Sequence, residues 1–91
     1  MKTVADFKRS MAVGTKWRAQ HRYIGEHPSE LSDLGVRECV LNNSVDFGFK
    51  SATGNISHSS WPRKGEFLYK DGSVYITKKG FCELIYTKIE E

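Results

Sequence analysis

The dipeptide Asp71-Gly72 stands between Glu66–Lys70 and Ser73–Thr77, two short stretches rich in aromatic and β-branched residues. A two-residue hairpin loop needs positive φ at both central positions to match the twist of its strands, and aspartate followed by glycine meets that need. An antiparallel hairpin is therefore predicted here. Lys78-Lys79-Gly80 supplies a second turn into Phe81–Ile89, so the C-terminal third of the chain forms a three-stranded meander.

The same period-two logic extends upstream. From Thr15 to Ile24, Trp17, Ala19, His21 and Tyr23 alternate with Lys16, Arg18, Gln20 and Arg22, which predicts a strand with one apolar and one cationic face. Residues 25–35 carry turn formers and charged groups without alternation and are expected to be a surface loop. Val36–Leu41 and Val45–Lys50 flank Asn42-Asn43-Ser44 and should pair as a hairpin, since asparagine tolerates tight-turn backbone. Residues 51–65 are polar and glycine-containing, which marks a long irregular stretch around Trp61-Pro62. At the N-terminus the period changes. Thr3 and Asp6 are spaced as a variant capping box, and Val4, Phe7 and Met11 fall on one helical face, so residues 3–11 are expected to be a short helix. Gly14 closes it.

The expected fold class is mainly β with one short N-terminal helix (α+β), as a six-stranded antiparallel sheet or a small SH3-like or OB-like barrel in a single domain over residues 1–91. The helix should pack on an inner face that includes Trp17, Val40, Phe47, Ile76 and Leu84. Phe49, Phe67 and Phe81 are also expected in the core.

A chain of 91 residues buries only about 60–65% of its unfolded surface, which leaves little room for a deep catalytic cleft. No apolar run approaches the roughly 18 residues of a membrane span, and Met1–Ser10 lacks the apolar segment of a secretory signal, so a cytoplasmic location is expected. Cys39 and Cys82 lie on different strands without metal-type spacing and are expected to be free thiols. His21, His27 and His58 fall on three separate elements. With no paired-carboxylate, nucleophile-elbow or phosphate-loop pattern, the chain is not expected to be an enzyme or to hold a metal or cofactor.

Charge is unevenly placed. Residues 1–25 hold six lysines and arginines against Asp6, residues 26–46 hold five acids against Arg37, and the remainder is mildly basic, giving +3 overall. Lys16, Arg18 and Arg22 on one strand face suit a phosphate backbone or an acidic protein surface, while the same pattern also serves as a solvated outer face. Reversing Arg18 and Arg22 to glutamate is expected to spare folding. Trp61 is either a plug under the sheet or an exposed anchor, and Arg63 and Lys64 beside it complete the candidate binding set.

The order Thr3-Val4-Ala5-Asp6-Phe7-Lys8, Val13-Gly14-Thr15-Lys16, Val36-Arg37, Ser60-Trp61-Pro62 and Tyr86-Thr87 resembles small β proteins carried by bacteriophages and other mobile elements. The resemblance implies an accessory protein that binds and blocks a host protein or nucleoprotein complex, as anti-CRISPR and other anti-defence inhibitors do. Direct binding of nucleic acid through the basic strand face, and a role in virion structure or assembly, are the other readings.

Overall fold

The chain begins with a helix too short to stand alone. In the computed structural model, which describes residues 3–89, Thr3 caps α1 (Val4–Ser10) through a capping box: the Asp6 amide donates to Thr3 Oγ1 and the Thr3 amide to Asp6 Oδ2, each at 3.2 Å. Seven residues cannot hold a helix in water, so α1 depends on what its apolar stripe meets. Phe7 and Met11 are fully buried. At the other end of the helix the Asn42 side-chain amide donates to the Lys8 and Met11 carbonyls at 2.9 and 2.7 Å. It satisfies orphan acceptors that the last turn cannot satisfy itself.

Seven antiparallel strands follow: β1 (Lys16–Tyr23), β2 (Ser32–Asn42), β3 (Asp46–Lys50), β4 (Ile56–Ser60), β5 (Phe67–Lys70), β6 (Ser73–Lys78) and β7 (Cys82–Ile89). They form one sheet in the order β4-β3-β2-β1-β7-β6-β5. Two meanders, β1–β4 and β5–β7, thus meet where β7 pairs with β1. Six strands were expected. The seventh, β4, lies within the stretch 51–65, and β2 begins at Ser32 inside the segment expected to be a loop. A register shift in β2 opposite Ala19 and Gln20 inserts Leu34, which hides the alternation of that half of the strand from a periodicity count.

The sheet is curled but not closed. Flat, seven strands at about 4.8 Å spacing would hold the two edges roughly 29 Å apart. The six-residue link Trp61–Glu66 joins those edges and, extended, reaches only about 25 Å, less still because Lys64–Glu66 is a 3-10 turn. Curling brings both halves of the sheet around α1, so Phe7 meets Phe47 of β3, Trp17 of β1, Tyr86 of β7 and Phe67 of β5 at ring-centroid distances of 5.8–6.5 Å. The barrel alternative is replaced by this open, wrapped sheet.

The core contains Phe7, Met11, Trp17, Ala19, Cys39, Phe47, Phe49, Val74, Ile76 and Tyr86, with Phe67, Leu84 and Trp61 partly buried against it. Val40 is not part of it. Its neighbour Cys39, opposite the inward Phe49, is the core residue, so alternation turns Val40 outward, just before the β2–β3 register shifts ahead of Leu41. Phe81, expected in the core, is 62% exposed because it closes the β6–β7 turn instead of entering β7, and its ring leans on that of Tyr23 at 6.1 Å. The Asp71-Gly72 turn has φ of 53° and 81°, both positive as its residue types require. Cys39 and Cys82 are free and buried.

Candidate binding site

Because Trp17 and Ala19 point into the core, alternation sends Lys16, Arg18 and Arg22 to the opposite, outer face of the sheet. β1 is the central strand, so these cations guard no edge. The neighbouring strands bring carboxylates alongside them. Arg18 Nη1 lies 2.7 Å from Asp33 Oδ2, Arg22 Nη2 lies 2.6 Å from Glu83 Oε1, and Lys16 stands opposite Glu38 in the β1–β2 register. The positive first segment and the negative second segment are adjacent antiparallel strands, and their charges cancel side by side.

The two ion pairs differ in weight. Both partners of Arg18–Asp33 are about half exposed, which limits that pair to at most about 1 kcal/mol. The Glu83 side chain is only 12% exposed; its Oε1 has no well-aligned hydrogen bond and is held by Arg22, while Oε2 accepts from Thr77 Oγ1 at 3.0 Å. Reversing Arg22 would set two carboxylates together at a largely buried site, so the expectation that the double reversal spares folding does not survive for that residue.

Trp61, Arg63 and Lys64 sit on the other side of the sheet, so the six candidates form two groups and not one. Trp61 is a plug: its ring centroid lies 4.5 Å from that of Phe47 and 5.6 Å from that of Phe7, and its indole N–H donates to the Asn43 carbonyl at 2.7 Å. Lys8, which the sequence reading did not single out, places its Nζ 5.5 Å from the centre of the Trp61 ring. Helical phase carried the signal, since Lys8 follows Val4 by one turn on the flank of the stripe that docks. Lys64 lines a groove of about 470 Å³ together with Thr3, Val4, Ala5 and Phe67.

Neither Arg63 nor Lys64 has an ion pair among the described residues. Glu66, the nearest acid in sequence, is already engaged: its Oε1 accepts from the Arg63 backbone N–H at 2.9 Å and from Lys78 Nζ at 3.1 Å. Those two hydrogen bonds, the backbone one first, hold its carboxyl below the usual range. Lys8 thus lies over the fixed indole, and Arg63 and Lys64 follow it in the exposed turn after Trp61, where neither forms a close ion pair among the described residues, although the Arg63 charge acts on Glu66.

Among the described residues three groups titrate away from their ordinary values, and none moves toward neutrality. Burial pushes the Tyr86 phenol up to about 12 against the opposing influence of Arg37 and a Ser59 hydrogen bond. Burial likewise raises the Cys39 thiol. Among the described residues no cluster of three or more His, Cys, Asp or Glu could hold a metal ion, and no helix is long and apolar enough to cross a membrane. No protein family matches the chain, and neither a curated protein nor a solved structure matches it.

Proposed function

We propose that this chain is a non-enzymatic binding protein that docks on an acidic surface of a host protein or nucleoprotein complex through Lys8, Arg63 and Lys64 around Trp61, and blocks it in the manner of small phage-encoded inhibitors. The carrying observation is the distribution of neutralised charge. Arg18 and Arg22 form close ion pairs with carboxylates of their own sheet, whereas among the described residues neither Arg63 nor Lys64 does, and the Glu66 carboxylate on which the Arg63 charge acts is held by Lys78. An acidic partner would supply what the fold leaves open, and unneutralised cations steer association with it. Trp61, pinned by its indole hydrogen bond, loses little freedom on contact, which suits an interface residue.

The three described groups with shifted titration are poorly suited to proton transfer near neutrality. A general acid or base works best with its pKa near the operating pH, and Tyr86, Cys39 and Glu66 all move the other way. Direct nucleic-acid binding through β1 is disfavoured by the carboxylates beside its cations, which would repel phosphates.

Affinity capture from host lysate with and without nuclease tests this reading. A partner retained after nuclease treatment is the expected result. Capture that vanishes with nuclease, together with the steep salt dependence of counterion release, would assign the chain to nucleic acid instead.

A further inference from the structure

We infer that β4 is a self-pairing edge, through which two copies of this chain join antiparallel about a two-fold axis at His58 to make one continuous sheet. The two edges of the sheet are not alike. β5 has four residues and ends on Lys70. β4 pairs with β3 over five residues without a bulge, and Ile56-Ser57-His58-Ser59-Ser60 holds no lysine, acid or proline. Sheet proteins guard free edges with charge, proline, bulges or a covering element, and β4 has none of the first three. Nor, among the described residues, does another strand pair with its outer side.

The direction of the backbone groups sets the register. The Ser51 amide donates to the Asn55 carbonyl at 2.8 Å and the Trp61 amide to the Val45 carbonyl at 3.5 Å, which places odd-numbered β4 residues in hydrogen-bonded pairs with β3. The N–H and C=O groups of Ile56, His58 and Ser60 therefore point to the open edge. A second β4 laid antiparallel with His58 opposite His58 gives every one of these groups a partner, Ile56 of each copy standing opposite Ser60 of the other. No ionised carboxylate or ammonium from β4 meets its like.

Two neighbouring features fit this arrangement. Phe47 and Phe49 point inward, so Asp46 and Lys50 share the outer face with Ile56, His58 and Ser60, and the two-fold axis aligns Lys50 of one copy with Asp46 of the other across the new pair. A parallel arrangement would align like with like. Gly48 also matters, because a Cβ there would lie 2.8 Å from the His58 ring. Its absence lets the imidazole lie back over β3, away from the edge. Ile56, 59% exposed, gains cover from the added strand.

Five-residue pairing buries less than the roughly 1,200–2,000 Å² of a stable complex, so the dimer is weak and concentration-dependent. Sedimentation equilibrium up to roughly millimolar subunit concentration tests it, with circular dichroism melting to establish that each variant folds. The parent is expected to shift from the 10.4 kDa chain mass toward twice that value. Ile56→Lys with Ser60→Lys brings lysine against lysine in both outer rows and should weaken association at least about tenfold. Ile56→Lys with Ser60→Glu restores opposite charges in the same rows and should associate at least as well as the parent. A parent that stays monomeric throughout overturns the inference. So does a lysine–lysine variant that associates like the parent, a lysine–glutamate variant that associates no better than the lysine–lysine one, or growth beyond the dimer.

Discussion

Replacing Phe7 with alanine removes the side chain on which both halves of the sheet converge. Phe7 is fully buried, and its ring meets those of Trp17, Phe47 and Trp61 edge-on at 5.6–6.0 Å. A buried Phe→Ala change ordinarily costs about 3–5 kcal/mol, and an edge-on aromatic pair adds about 0.5–1.5 kcal/mol beyond the area it buries. The seven-residue helix has no independent stability to limit the loss, so the expected cost is about 5 kcal/mol. At about 0.05–0.15 kcal/mol per residue the whole domain holds roughly 5–14 kcal/mol, which leaves the variant near the edge of unfolding. Urea denaturation followed by tryptophan fluorescence reports directly, because both tryptophans pack on this ring. With a slope of about 1–1.5 kcal/mol per molar urea, the midpoint should fall by about 3–5 M or leave the measurable range. A loss below about 2 kcal/mol would mean that α1 is not what the sheet wraps.

Other expectations follow from single contacts. Asn42→Ala removes both hydrogen bonds that close the end of α1 and should cost about 1–3 kcal/mol by chemical denaturation, with no change in strand content by circular dichroism. Gly72→Ala places a Cβ at φ 81° and should cost about 1–2 kcal/mol, whereas the same change at Gly65, which lacks a positive φ and has open space at its Cβ position, should cost less. The Tyr86 phenol titrates at about 12 in the fold and near 10 when unfolded, so between those values the unfolded chain binds fewer protons. Its contribution is complete below about pH 10 and is lost as pH rises toward 12, at up to about 1.4 kcal/mol per unit. Tyr86→Phe should flatten that part of the stability curve.

The elements legible in the sequence were those whose signal is local. The Thr3 and Asp6 capping box, the alternation of Lys16–Tyr23 and the Asp71-Gly72 turn each state their structure within a few residues, and α1, β1 and the β5–β6 hairpin follow from them. β4 was not legible, because Ile56 is its only residue with strong strand preference and pairing with β3 decides its conformation. The first part of β2 was lost for a different reason: Leu34 breaks its period where the strand bulges. The candidate site depended most on what is distant in the chain. The opposed charge blocks of residues 1–25 and 26–46 were visible, but their meaning required β1 and β2 to be neighbours, with Arg18 and Asp33 fifteen positions apart in direct contact. Glu83 beside Arg22 is more remote still. Once those carboxylates are in place, the strand that looked most like an interface becomes the neutralised one, and the turn after Trp61 holds cations without a close ion pair among the described residues.

Whether the contact surface lies beside α1 or on the outer sheet face is decided by titrating the captured partner against two variants that preserve the fold. Arg63→Glu with Lys64→Glu should weaken binding at least about tenfold, and Arg18→Glu, at a half-exposed pair, should leave it within about threefold, with thermal melts of both close to the parent. Loss of binding with Arg18→Glu and full affinity with Arg63→Glu/Lys64→Glu would contradict the proposed surface and return the site to β1.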